Sequence, residues 1–399
     1  MARKKIGLLT LDSKSYNYGG LLQEYALQQA ISSLGYECKV LDYDNNSEFG
    51  MFSYKRNIKY LTPAKIINRL SEKSKQDNTK NGEVEEVIEP RRKRFDDFRK
   101  EYMAFSSRII SSDLSSLDYD GYVCGSDQIW NPSQSRPSFF LDFVDDIDKK
   151  VIYAASISRN ELTKEEKRVY RKYLNRLKNV SVREERAKEL VTEIVGEKTI
   201  NGKEVEVVLD PTLLLDRCSW KEIGGCEPLV KGEYVFCYFL GIDEAKKKAT
   251  ETFAKNNGLK IVSIPYLLGV YNPLDDGFSK DLFPVGPIEF LNLILHARYV
   301  LTDSFHALLF SILFGKRFRV FGRSSGKDNM NSRIDTLLSY IGHNEYLIKP
   351  SEIDKLEEMN RLTAEVKTAQ EIYDFSRIEK LKKMSIIWLK NSLEGAIKV

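Results

Sequence analysis

Histidine is scarce in this chain of 399 residues, occurring only at His296, His306 and His343. The five cysteines, Cys38, Cys124, Cys218, Cys226 and Cys237, stand without any paired spacing. Neither set closes a zinc site, so no metal or other cofactor is expected. Three of the cysteines lie in apolar, strand-like runs, which predicts buried free thiols and a reducing, cytoplasmic setting. No apolar run approaches the roughly 18 residues that cross a bilayer. The basic opening of the chain is followed by an apolar stretch of only about five residues that stops at Asp12, which predicts a first strand and not a signal peptide. A net charge of +4 gives no reason to expect nucleic acid.

What the chain does contain is short strands alternating with amphipathic helices. Its length exceeds one ordinary core and suits two domains of about 150 residues each, with some remainder. Residues 5–11 are a continuous apolar run of the buried parallel type. A turn at 16–20 leads to helical spacing over 21–34, Gly35 closes that helix, and 38–43 is the next strand, making one βαβ unit. Residues 47–110 break the rhythm. The part from 71 to 90 is rich in Lys, Glu, Asn and Gly, which predicts a mobile insertion or a weak helix. Alternation resumes with strands at 121–124, 151–155, 180–183 and 205–209 and helices at 164–178 and 183–195. The Asp210-Pro211 step and the Cys- and Gly-rich stretch to Gly232 read as a domain boundary. Beyond it come strand 234–240, helix 244–256, strand 260–265, helix 287–296, strand 299–301, helix 305–314, strand 318–321 and helix 332–341. Amphipathic helices over 362–393 are placed to pack back across both domains. The fold class is α/β, with two Rossmann-like domains facing a cleft: residues 1–215, residues 216–345, and C-terminal helices over 346–399. Ligands in such sheets bind outside the carboxyl ends of the strands.

Several polar clusters fall at those ends. Asn17-Tyr18-Gly19-Gly20 is either a plain turn or a place where backbone and a helix N-terminus meet an anion. Gly125-Ser126-Asp127-Gln128-Ile129-Trp130-Asn131 carries carboxylate, amides and an indole, the groups a sugar site uses. Trp130 is equally a core residue, and Ser126 or Asp127 equally an N-cap. Arg183 stands where a strand meets a helix and offers a planar fork to phosphate or carboxylate. Glu184, Glu185 and Arg186 read as first-turn helix residues. His306 begins a helix at the end of a buried strand, whereas His296 and His343 read as structural. The helix field opposes a charged ring at His306, and a bound phosphate would favour one. Arg323 follows a strand in Gly322-Arg323-Ser324-Ser325-Gly326 and could join an anion site. Arg333 fits an anion site or a structural pair. The basic, aromatic-bearing run 91–100 is either a solvated helix face or a surface for an anionic polymer or a lipid-phosphate carrier, the latter implying peripheral contact with the inner face of the membrane.

Taken in order, these blocks resemble the polysaccharide pyruvyl transferase family. The matching residues are Asn17-Tyr18-Gly19-Gly20 with the helix after it, Gly125–Asn131, Ser181-Val182-Arg183-Glu184, Asp210-Pro211-Thr212, Thr302-Asp303-Ser304-Phe305-His306 and Asn331-Ser332-Arg333-Ile334. The resemblance implies a fold similar to GT-B glycosyltransferases, phosphoenolpyruvate as donor, and a pyruvate ketal on a sugar of a capsule, an exopolysaccharide or its lipid-linked precursor. It carries the family's histidine over to His306 as general acid and its donor-holding arginine to Arg183. Better-studied branches have an arginine two residues before that histidine. Here Ser304 stands there, as in a Ser-Phe-His branch, and Arg317, Arg323 or Arg333 would have to supply the missing clamp. Donor binding is thereby expected of Arg183, Ser304, Arg323, Arg333, Gly19 and Gly20. The acceptor sugar is expected at Asn17, Gln128, Trp130 and Asn131, with Asp127 orienting or deprotonating a hydroxyl. A nucleotide-sugar glycosyltransferase and a non-catalytic glycan-binding member are the competing readings; oligomeric state is left open.

Overall fold

Two parallel sheets account for every strand among the described residues, which are 3–11, 14–52, 81–196, 202–240, 244–264, 284–323, 331–355, 373 and 375–397 of this computed structural model. The first sheet contains β1 (Lys5–Leu9), β2 (Glu37–Tyr43), β3 (Phe105–Ile109), β4 (Gly121–Cys124), β5 (Lys150–Ala155), β6 (Asn179–Val182) and β7 (Glu206–Val207). Their order is β3-β2-β1-β4-β5-β6-β7, and every pairing is parallel. The second contains β8 (Tyr234–Tyr238), β9 (Lys260–Ser263), β10 (Tyr299–Thr302), β11 (Arg317–Phe321) and β12 (Leu347–Ile348), ordered β12-β11-β10-β8-β9 and again parallel. The central strands β4, β5 and β8 are buried along their whole length, as parallel strands covered on both faces must be.

The helices are α1 (Tyr18–Ser33), α2 (Asn81–Tyr102), α3 (Lys164–Leu174), α4 (Glu185–Val195), α5 (Arg217–Gly224), α6 (Glu244–Asn256), α7 (Pro287–His296), α8 (Phe305–Leu313), α9 (Ser332–Ile341) and α10 (Ser376–Ala396). None among the described residues is long and apolar enough to cross a membrane. Strand order reverses direction between β1 and β4 in one sheet and between β8 and β10 in the other, and these two switch points are where ligands enter doubly wound sheets.

Helix α1 begins three residues earlier than its apolar spacing suggests. Asn17 sits in extended backbone and its Oδ1 accepts from Gly20 N at 3.1 Å, so the cap draws Tyr18, Gly19 and Gly20 into the first turn. The helix joins the two units: Leu21, Leu22 and Ala26 share a core with Phe290, Trp220 and Phe310, while Leu27 and Ile31 pack under the first sheet.

The expected insertion over 47–110 is corrected by what its second half does. Residues 81–102 form α2 and 105–109 form the edge strand β3. Phe95 and Phe98 of α2 lie in the same core as Trp220 and Phe290, so this helix is an integral strap between the units. Its polar first half hid the apolar spacing of its second. The remainder of the insertion, 53–80, lies outside the described residues. Nor is 91–100 simply a solvated face. Arg91 and Arg99 are buried, and Arg94 pairs with Glu289 of α7. At the other end of the chain α10 touches both units. Leu389 and Leu393 pack beneath β1, β4 and β5, Ser385 Oγ accepts from Leu209 N at 3.0 Å, and Arg377 donates to Ser339 O at 3.0 Å. Of the helix expected over 362–393, residues 362–372 lie outside the described residues.

Candidate active site

The carboxyl ends of β1, β4, β6 and β7 face those of β10 and the start of α9, and six side chains meet there. Arg183, just after β6, is buried and donates from Nη1 to Asp210 Oδ2 at 2.7 Å and from Nη2 to Asp127 Oδ1 at 3.3 Å. Asp127, in the turn after β4, also faces Arg333 Nη1 at 3.9 Å. It holds φ at +62°, a conformation that costs most residues and that Asp tolerates better than bulky ones. Phe305 spreads its ring beneath both guanidiniums, with 4.7 Å from its centroid to Arg183 and 5.4 Å to Arg333. His306, in the first turn of α8, turns Nε2 toward Asp210 Oδ2 at 3.7 Å, within ion-pair range and beyond hydrogen-bond reach.

The other edge of that imidazole rests on Gly19. A Cβ at Gly19 would fall 2.7 Å from His306 Cε1 and nearer still to Cγ and Nδ1, so only glycine admits the ring. This close approach, and not an anion cradle, is what the first glycine of the pair supplies. Gly20 is ordinary by comparison, because its N–H is spent on the Asn17 cap and a Cβ there would meet nothing closer than 3.6 Å.

The electrostatics are those of a buried, nearly balanced cluster. Burial alone would raise the Asp210 carboxyl, but the His306 ring and the Arg183 guanidinium reverse this and hold it well below the usual carboxylate range. Burial likewise opposes the charge on Arg183, and Asp210, Asp127 and Glu184 more than offset it. Arg333 has weaker support: burial, with Arg183 beside it, lowers it to about 10. Among the described residues, four buried polar atoms in and beside the cluster have no hydrogen-bond partner: Arg183 Nε, Arg333 Nε, His306 Nε2 and Glu184 Oε2. Orphaned groups of this kind are rare in a folded interior, and their convergence marks a place built for polar contact.

The other residues singled out from the sequence divide into two sets. Ser304 caps α8, its Oγ accepting from Ala307 N at 3.5 Å, at the end of a loop in which Asp303 is paired with Lys246 at 3.2 Å. Burial raises the Asp303 carboxyl despite that lysine. Arg323 follows β11 on the same side of the second sheet, while Ser324 and Ser325 lie outside the described residues. Arg317 is corrected: it opens β11 at the amino end, away from the cleft, and donates to Tyr299 OH at 3.1 Å. Trp130 is also corrected as a sugar platform. It is 1% exposed, stacks on Phe140 and donates from Nε1 to Phe139 O at 3.2 Å, so its faces are spent in the core. Asn131 is buried beside it; its Oδ1 accepts from Ser133 N and Oγ, which fixes the turn, and its Nδ2 donates to Gln128 Oε1 at 3.5 Å. Asn17 is occupied as the cap of α1, and Gln128 is half-buried next to Asp127. Glu184 is no first-turn residue facing solvent: its Oε1 accepts from Ser156 Oγ, Ile157 N and Ser158 N at 2.8–3.2 Å. His296 and His343 take structural places against Gly225 O and Glu345.

Sequence reasoning had given no part to Asp210, Glu184 or Phe305. Asp210 offered the same signal as Asp127, an acid directly after a short strand, but its Pro211 drew attention as a boundary. Among the described residues no group of histidine, cysteine and acidic side chains could hold a metal ion.

No curated protein matches the chain. Among solved structures it is similar to a UDP-GlcNAc 2-epimerase from Neisseria meningitidis bound to UDP-GlcNAc, at 11% identity over 97% of this chain and 99% of that one, with a TM-score of 0.49. It is also similar to the enzyme of that name from Methanocaldococcus jannaschii in complex with UDP-GlcNAc and UDP (12%, 95% and 99%, TM-score 0.47). The glycosyltransferase SnogD from Streptomyces nogalater gives 13% identity, 99% and 98% coverage and a TM-score of 0.37. All three fall below a TM-score of 0.5, and the fold assignment rests on the strand order of the two sheets. The family model described as polysaccharide pyruvyl transferase matches residues 17–325, which spans every residue of the cluster except Arg333, and the chain belongs to that family.

Proposed function

We propose that this enzyme moves the enolpyruvyl group of phosphoenolpyruvate onto two hydroxyls of one sugar, in a cell-surface polysaccharide or its lipid-linked precursor, forming a cyclic pyruvate ketal and releasing phosphate. The observation that carries this reading is the single histidine seated between Gly19 and Asp210, the aspartate that also pairs with Arg183, within a chain of this family.

The chemistry needs a proton on the methylene carbon of the enol and stabilisation of the positive charge that develops on its neighbour. His306 supplies the proton. A first sugar hydroxyl bonds to the neighbouring carbon and loses its proton, with Asp127 as the acceptor. The C–O bond to phosphate breaks, and a second hydroxyl of the same sugar closes the ring as its proton leaves with the phosphate. Arg183 and Arg333 hold the donor's carboxylate and phosphate, charge for charge, in a setting from which water is largely excluded. Asp210, kept ionised, orients the imidazole and balances Arg183. Gln128 stands next to Asp127, where an acceptor would enter.

Purified protein is to be incubated with phosphoenolpyruvate and oligosaccharides bearing galactose or N-acetylmannosamine, with phosphate release and ketal formation followed by phosphorus and carbon NMR. Ketal formation that is lost in His306→Gln is the expected result. Turnover of a nucleotide sugar with no phosphate from phosphoenolpyruvate would overturn the reading, as would full ketal formation by His306→Gln.

A further inference from the structure

Helix α2 reaches the first turn of α1, the turn that carries Gly19, through one residue that the proposed reaction does not use. Arg91 is buried, and its guanidinium lies against the rings of Tyr18 and Phe95 at 4.9 and 4.8 Å. Its Nη2 donates to Tyr16 O at 2.6 Å and its Nε to Tyr18 OH at 3.1 Å. The Tyr18 hydroxyl in turn donates to Val285 O at 2.7 Å, at the entrance to α7 in the second unit, and its ring stacks on Phe290 with 4.6 Å between centroids and 9° between planes. Tyr18 is the first residue of α1, and Gly19, on which the His306 ring rests, is the next.

We infer that Arg91 and Tyr18 are positioning residues, which latch the first turn of α1 to the second unit and thereby set where the His306 imidazole sits. The hydroxyl of Tyr18 is the joint: it accepts from a side chain of the first unit and donates to the backbone of the second. Removing either partner leaves buried polar groups unmatched, and the turn that carries Gly19 is then free to slide along the imidazole. Burial raises the Tyr18 phenol above its ordinary range, so it remains a donor at any pH the enzyme meets. The inference rests on the pyruvyl-transfer reading only in naming His306 as the group positioned.

The test uses the full chain, and three histidines make it tractable. Imidazole signals of wild type, Tyr18→Phe, Arg91→Lys and Arg91→Met are recorded by nitrogen-15 NMR without substrate, His306 being assigned by its loss in His306→Gln. The inference expects the His306 signals to move in Tyr18→Phe and Arg91→Met, to return part-way in Arg91→Lys, and those of His296 and His343 to stay in place. With substrates, kcat should fall by about tenfold to a hundredfold in Arg91→Met, with KM for phosphoenolpyruvate unchanged, as for displaced reacting groups. Unmoved His306 signals overturn the inference, and so does an equal shift of all three histidines, which reports general loosening. Because the spectra need no turnover, they stand even if wild type proves inactive on phosphoenolpyruvate. Tyr18→Phe keeps the ring and its stacking, so the folded state survives in at least one arm.

Discussion

Gly19→Ala is the sharpest perturbation of the candidate site, because one methyl group is aimed at one imidazole. The new Cβ would stand 2.7 Å from His306 Cε1 and closer to Cγ and Nδ1, where carbon contacts ordinarily begin at about 3.5 Å. The backbone of Gly19 is inside α1 and held by the Asn17 cap, so the ring is the part that must yield, by roughly 1 Å. Displacement of that size at a reacting group costs about a hundredfold in rate. Overpacking of this kind costs folding about 1–3 kcal/mol. Gly20→Ala is the matched control: its Cβ would meet only Asn17 at 3.6 Å, and exchange of glycine for alanine in a helix is worth up to about 1 kcal/mol in its favour. Phosphate release from phosphoenolpyruvate and thermal unfolding are measured on both. Full turnover in Gly19→Ala, or equal losses in the two variants, would refute the seating of His306 on Gly19.

Three further outcomes follow from the same coordinates. Trp130→Phe should lower unfolding free energy by about 1–3 kcal/mol, through the lost packing on Phe140 and the stranded Phe139 carbonyl, while KM for the acceptor stays at the wild-type value; a raised KM with unchanged stability would restore Trp130 to the sugar site. Lys316 is lowered from 10.5 to about 8 by burial and by Arg217 and Lys221, so the fold prefers its neutral form. Its destabilising effect is complete below about pH 8 and fades as pH rises toward 10.5; Lys316→Met should therefore be more stable than wild type by about 1–3 kcal/mol at pH 7 and lose that advantage near pH 10, as read by denaturant unfolding. Asp210 titrates the opposite way. Its folded pKa lies below the ordinary value of 3.8, so its stabilising contribution is complete above that pH and vanishes as pH falls through the folded value. The stability gap between wild type and Asp210→Asn should be constant from neutral pH to about 4 and close below it.

Legibility of the sequence tracked burial. Helices α6, α7 and α9 match their sequence-read bounds end to end, and in α7 and α9 apolar spacing and clear caps coincide, as at Pro287 with Glu289 and at Gly342. Strands read from apolar runs start within one residue of the expected position, as at Gly121–Cys124, while β1, β7, β8 and β9 end two residues earlier than expected. The misreadings arise where one residue serves both purposes. An indole after a strand can stack on a sugar or on Phe140, and only the neighbouring Phe139 and Tyr170, brought in from elsewhere in the chain, decide for the core. The basic run 91–100 has the composition of a wet surface, yet the rings of Tyr18 and Phe95 and the carbonyl of Tyr16 make burial of Arg91 feasible. Glu184 was assigned to a helix turn because three of its partners come from a loop some 27 residues upstream.

The tripeptide Ser304-Phe305-His306 now has a physical division of labour. A serine at 304 ends the strand and caps α8, a role an arginine side chain cannot fill. A second guanidinium comes from α9: Arg333 reaches the same cluster from the second unit while Arg183 comes from the first. Two like charges in one cluster repel, and Arg333 is lowered by burial first and by Arg183 second. Phe305 answers this by offering its negative ring face to both at once, and Asp127 bridges them from the side. The arginine pair therefore exists only while the two units are held together, since one member, the shared ring and the histidine belong to the second unit and the other member and both aspartates to the first. A site divided in that way needs a fixed interface more than it needs a flexible hinge, and α1, α2 and α10, each packed against both units, provide one.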